Sequence, residues 1–283
     1  MDVTFRDTSI ASEGFVPEPS FDSIRGLARY IAVAGLAGLI AGVVVGGFGG
    51  RLFMRIAGAA APDRVQGAGT EAGFTVGEVT APGTIGLVVF IGIFVGVIGA
   101  AIFVASMPWL SWAGRWRGVL LGVVLFAAGS ATSDVMNPDN FDFLILSNEV
   151  LLVGLIVVLF LAFGVVLDWA FRFLGRRIRK VGGRWGATDG VFIAIAAIGL
   201  MLTLAVVPVL FTRSACDCDP PLAASWSIIV MGVGTVLWWT SALVTRSGTW
   251  TRTAAGAFGY TGLAGVLVFG LIRAVSDAIE IIG

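Results

Sequence analysis

The chain has 283 residues, 57% of them hydrophobic and only 13% charged, and its mean hydropathy is +0.97. A soluble domain carries about a quarter charged residues, so this balance excludes one and points to an integral membrane protein. Eighteen basic and eighteen acidic residues cancel, which leaves no overall field to attract nucleic acid, and the basic residues must act by position.

The expected fold class is an all-α integral membrane protein: a bundle of seven transmembrane helices, amino terminus inside and carboxyl terminus outside, with a long, partly structured outer loop between helices 1 and 2. Residues 1–26 are polar, mixed in charge and contain Pro17 and Pro19, and read as a cytoplasmic tail. The apolar run that follows far exceeds the ~7–15 residues of a signal-peptide core, so it is expected to be a retained helix. Residues 27–283 are expected to form one transmembrane domain, with spans at 28–50, 84–106, 118–136, 149–171, 190–212, 223–245 and 254–274.

In the first span Ala34, Gly38, Gly42, Gly46 and Gly50 recur every four residues. Such a face carries almost no side chain, so another backbone can approach closely. Gly92, Gly96 and Ala100 make a similar stripe in the second span. Packing of spans one and two on each other is the simplest use of the two stripes, and a homo-oligomer seam is the other. The connection between them is long for a bundle, where about 2–8 residues suffice. Within it FTVGEVT (residues 74–80) alternates like a short strand.

The third span has an apolar run of only twelve residues, 118–129, which covers about 18 Å of a hydrocarbon core near 30 Å. To cross, the helix must continue through Ser130 and Asp134 towards Asn137, placing the three on one face. A re-entrant segment is the alternative. Seven crossings put thirteen of the eighteen basic residues inside and five outside, whereas six crossings weaken the split to eleven and seven. Orientation follows Lys/Arg asymmetry, so seven is the better count. The basic loop 171–185, FRFLGRRIRKVGGRW, holds six of the basic residues. It is expected inside, near anionic lipid, which attracts such segments without specificity.

Several chemistries are struck out. The chain has no His, which excludes haem by His ligation, His-based zinc sites and Ser/His dyads. Lys180 is the one Lys and lies in the basic loop, so a retinal Schiff base within a span is excluded as well. No phosphate-cradling glycine motif is present. No catalytic residue, metal site or cofactor is expected.

Four constellations remain. Asp168 with Arg172 at i+4 is an ion pair at the membrane surface or, less simply, a proton-relay carboxylate. Asp134, Asn137, Asp139, Asn140 and Asp142 crowd an outer loop with oxygen atoms, but their spacing matches no EF-hand and reads as a solvated acidic turn. Cys216 and Cys218 could be a strained disulfide, two thiols or an intermolecular link. Finally, Arg51, Arg55, Ser130, Asp134, Asn137, Glu149, Arg273, Asp277 and Glu280 all fall at the outer side. They constitute a candidate polar vestibule, against the simpler reading of separate helix-end charges.

The functional expectation is a non-catalytic membrane component or accessory subunit of a membrane complex, in contact with protein subunits or a second copy. The alternative is a small-solute or ion transporter or channel that uses the outer cluster as its entrance. Arginine in place of lysine, with abundant Ala, Gly and Val, points to a GC-rich bacterial genome and hence to the bacterial cytoplasmic membrane.

Overall fold

The computed structural model of the chain describes residues 24–60, 62, 85–86, 88, 92–132, 134–136, 148–178, 186–208, 222–243 and 249–283. The strand-like stretch 74–80, Asn137 and the acidic turn that follows it, loop residues 179–185 and the Cys216/Cys218 pair lie outside these residues. All regular structure among the described residues is helical. Among the described residues five segments are long and apolar enough to cross a membrane: Ile24–Ala60, Ile93–Thr132, Glu149–Arg177, Ala187–Ala205 and Ala223–Leu243.

The first of these is one rod. Helix α1 (Ile24–Ala41) passes through an eight-residue π-helical stretch, Gly42–Gly49, into α2 (Gly50–Ala60). Its 37 residues extend well beyond the expected end at residue 50. Helix α3 (Ile93–Leu110) is followed by a 3-10 turn, Ser111–Trp116, and by α4 (Arg117–Thr132). Helices α5 (Glu149–Arg177), α6 (Ala187–Val206), α7 (Leu222–Leu243) and α8 (Thr249–Ile282) complete the bundle.

Contacts between helices fix their relative directions. Gly38 lies against Gly96 and Ala100, Gly42 against Gly92, and Gly47 against Val88, so α1 and α3 are antiparallel. A methyl group at Gly42 would overlap the Gly92 carbonyl, which is why glycine is required there. Gly99 meets Phe163, and the Phe103 and Phe171 rings are 4.9 Å apart, so α3 and α5 run the same way. Gly118 meets Val165 and Gly122 meets Leu161, so α4 runs against α5. Helices α3 and α4 are therefore the two arms of a hairpin. It reverses at Gly114, whose φ of +51° and ψ of −118° suit a residue without a Cβ.

Helices α7 and α8 are also antiparallel, with Gly234 on Gly259 and Gly265 on Ser227. Arg25, Trp109, Arg117, Asp168, Asp189 and Tyr260 consequently gather towards one end of the bundle, the arginine-rich end. Ser130, Glu149 and Asp277 lie towards the opposite end.

Helix α4 explains how so short an apolar run is accommodated. Ten of its sixteen residues are buried and none is exposed, because α3, α5, α7 and α8 all pack on it. A helix enclosed by protein does not have to match the lipid with its own side chains. The expected continuation to residue 136 is corrected: the α-helix stops at Thr132, whose hydroxyl donates back to the Ala128 carbonyl at 2.7 Å. Asp134–Met136 follow as a separate 3-10 turn.

Candidate functional site

The best-defined polar constellation lies at the arginine-rich end. Asp168 projects from α5 and is 3% exposed. Arg117, the first residue of α4, donates from Nε at 2.8 Å and from Nη2 at 2.5 Å to its Oδ1. Arg172, one turn along α5, donates to Oδ2. Gly118 makes the contact feasible: a Cβ there would stand 3.0 Å from the Val165 Cα and 3.3 Å from the Asp168 Cβ. Two small helix faces thereby bring a buried guanidinium onto a buried carboxylate. Such a pair is costly to break, about 3–5 kcal/mol when one partner is removed.

Around this triad α1 adds two residues. Tyr30 packs edge-on against Phe171, ring centroids 5.3 Å apart. Arg29 donates to the carbonyls of Gly175 at 2.9 Å and Ile178 at 2.8 Å, capping the end of α5, where helix carbonyls lack intrahelical donors. Arg25 lies 3.6 Å from Asp189, which itself accepts from the Gly186 N–H at the start of α6. One further link ties α3 to α7. The Trp109 indole N–H donates to the Thr235 hydroxyl at 3.0 Å, and that hydroxyl donates to the Ala105 carbonyl at 2.5 Å. Gly259 leaves room for the indole.

Both oxygens of Asp168 are engaged by guanidinium donors. The arrangement favours the ion-pair reading of Asp168 and Arg172, with Arg117 as a third member. Among the described residues, Arg172 Nε and Ser130 Oγ are buried without a hydrogen-bond partner.

The candidate vestibule residues are distributed differently. Arg51 is half-buried and Arg55 is exposed on α2. Glu149 is half-buried in the first turn of α5, just after Asn148, whose side chain caps the Leu151 N–H at 3.4 Å. Arg273 and Asp277 pair at 3.0 Å within α8, Asp277 being buried, and Glu280 one turn on is exposed. Ser130 is buried in α4. Asp134 lies in the 3-10 turn, and Asn137 is outside the described residues. The ion pair described within this set therefore joins two residues of one helix. The glycines Gly38, Gly42, Gly92 and Gly96 form the α1–α3 contact, while Gly46 is buried in the π-helical stretch and Gly50 opens α2.

Sequence reasoning missed Arg117, Tyr30, Arg29 and the Trp109–Thr235 link. Arg117 carried one usable signal: it immediately precedes the small residues Gly118 and Gly122, which face Gly164. Trp109 is 2% exposed and belongs to the core. Among the described residues no group of three or more His, Cys, Asp or Glu comes together as a metal site. The chain matches no protein-family model, no curated protein and no solved structure.

Proposed function

We propose that the chain is a non-catalytic subunit of a membrane complex, a seven-crossing bundle of the bacterial cytoplasmic membrane with its arginine-rich end in the cytosol. The alternation of helix directions supports seven crossings, with the α3–α4 hairpin supplying two of them. The observation that carries the subunit reading is α6. In its apolar window only 6% of residues are buried, against 56% in the first rod. Val191, Ile198, Leu200, Met201 and Leu204 are exposed. So are Gly190, Ala194 and Ala197, and a Cβ at Gly190 would meet nothing within 4 Å. A helix that packs on α1 but leaves most of its apolar surface, a small-residue face included, outside the bundle suits close packing against another transmembrane helix.

Purification in mild detergent, with Ala194→Trp and Ala197→Trp compared with the unsubstituted chain, tests this. A stoichiometric partner chain, or a second copy, that is lost in both variants while the chain remains monodisperse supports the reading. A monomer with no associated chain in either form overturns it.

One observation favours transport as the second reading. The π-helical stretch Gly42–Gly49 interrupts the first rod, and such interruptions recur at functional sites. Solute movement into liposomes that is lost in Asp134→Asn would support the outer vestibule as its entrance.

A further inference from the structure

The Arg117–Asp168–Arg172 triad is not charge-balanced: two guanidinium groups face one carboxylate. The excess positive charge opens outward at Arg172, whose side chain is 31% exposed while those of Arg117 and Asp168 are 9% and 4%. On α5 the residues Trp169, Arg172, Phe173 and Arg176 are spaced i, i+3, i+4 and i+7, which is one face of a helix. Trp169 and Phe173 are exposed on it and stack at 5.5 Å with an interplanar angle of 14°. Arg176 is exposed one turn further on. Arg177 lies over the Phe173 ring at 5.2 Å.

We propose that this face of α5 is a binding site for the phosphate of an anionic phospholipid headgroup, with Arg172 and Arg176 as donors and Trp169 and Phe173 set against the upper acyl chains. Arginine suits phosphate because its planar donors match the oxygen geometry. A lipid is favoured over a free anion by the aromatic pair. Exposed indole and phenyl rings on a helix apolar enough to span a bilayer belong at the boundary between headgroup and hydrocarbon. The site requires only that the chain sits in a membrane. It does not depend on the subunit reading.

Native mass spectrometry of the full chain in a neutral detergent, titrated with phosphatidylglycerol and with phosphatidylcholine of the same acyl chains, tests the assignment. Phosphatidylglycerol is expected to be retained preferentially. Arg176→Gln should weaken its binding about fivefold, the weight of one basic residue near an anionic surface, without moving the melting temperature. Arg172→Gln should weaken binding at least as much, with Arg172→Lys intermediate. Arg252→Gln, an exposed residue on α8, should leave binding unchanged. Equal retention of the two lipids would overturn the site. So would equal weakening in Arg252→Gln and Arg176→Gln, which is general charge attraction, or displacement of the lipid by millimolar inorganic phosphate, which marks a free-anion site.

Discussion

The two ends of the bundle solve the problem of polar groups in an apolar protein in opposite ways. At the arginine-rich end, polar side chains join different helices: Arg117 of α4 to Asp168 of α5, Arg29 of α1 to the last carbonyls of α5, and Trp109 of α3 to Thr235 of α7. At the opposite end the described ion pair, Arg273 with Asp277, is internal to α8, and Ser130 keeps a buried hydroxyl unpaired. The first arrangement fixes how helices sit relative to one another. The second stabilises a helix without specifying its neighbours, so the arginine-rich end is expected to be the mechanically rigid one.

The largest expected effect tests that contrast most directly. Asp168→Asn leaves the buried Arg117 guanidinium and the half-buried Arg172 without their anion and should cost about 3–5 kcal/mol, read as a large drop in melting temperature in detergent. Arg117→Met combined with Asp168→Leu removes charge and countercharge together and should recover most of the loss. If the double substitution is as damaging as Asp168→Asn alone, charge pairing is not what ties α4 to α5. Gly42→Val comes next. It drives a side chain into the Gly92 backbone and should cost about 1–3 kcal/mol or more, seen as loss of the monodisperse peak in size-exclusion chromatography. Trp109→Phe removes one interhelical hydrogen bond and should cost about 0.5–1.5 kcal/mol in the same melting assay. Arg273→Gln at the opposite end should cost about 1 kcal/mol, since the arginine is partly exposed and glutamine keeps a hydrogen-bond donor for the buried Asp277 carboxylate. A larger loss there than in Trp109→Phe would abolish the distinction between the ends.

Much of the architecture is legible in the residues. The apolar runs announce a helical membrane protein, and the four-residue spacing of Gly38, Gly42, Gly92 and Gly96 marks a face where two backbones meet. Helix lengths are less legible. Helix α8 runs for 34 residues, to Ile282, because helical structure continues past the apolar stretch, whereas hydropathy marks only that stretch. The polar cluster was legible only in part. The i+4 spacing exposes the Asp168–Arg172 relation, but Arg117 is 51 positions away from Asp168. Its sequence, WAGRWRG, offers two arginines with no local cue for which turns inward. Three-dimensional packing decides between them, and Arg115 instead lies over the Trp116 ring. The candidate vestibule residues formed a group in one dimension because helix ends recur there. Whether helix ends share a site depends on side-chain direction, which spacing along separate helices does not encode.

The enclosure of α4 bears on how the chain enters the bilayer during synthesis. A sixteen-residue segment that begins with an arginine and carries a serine near its far end is a poor substrate for independent partitioning into lipid, whose full thickness needs about twenty apolar residues. Helix α3, joined to it through Gly114, and α5, which brings Asp168, provide the shelter it lacks. Its integration is therefore expected to be cooperative, completed only once α5 has left the ribosome.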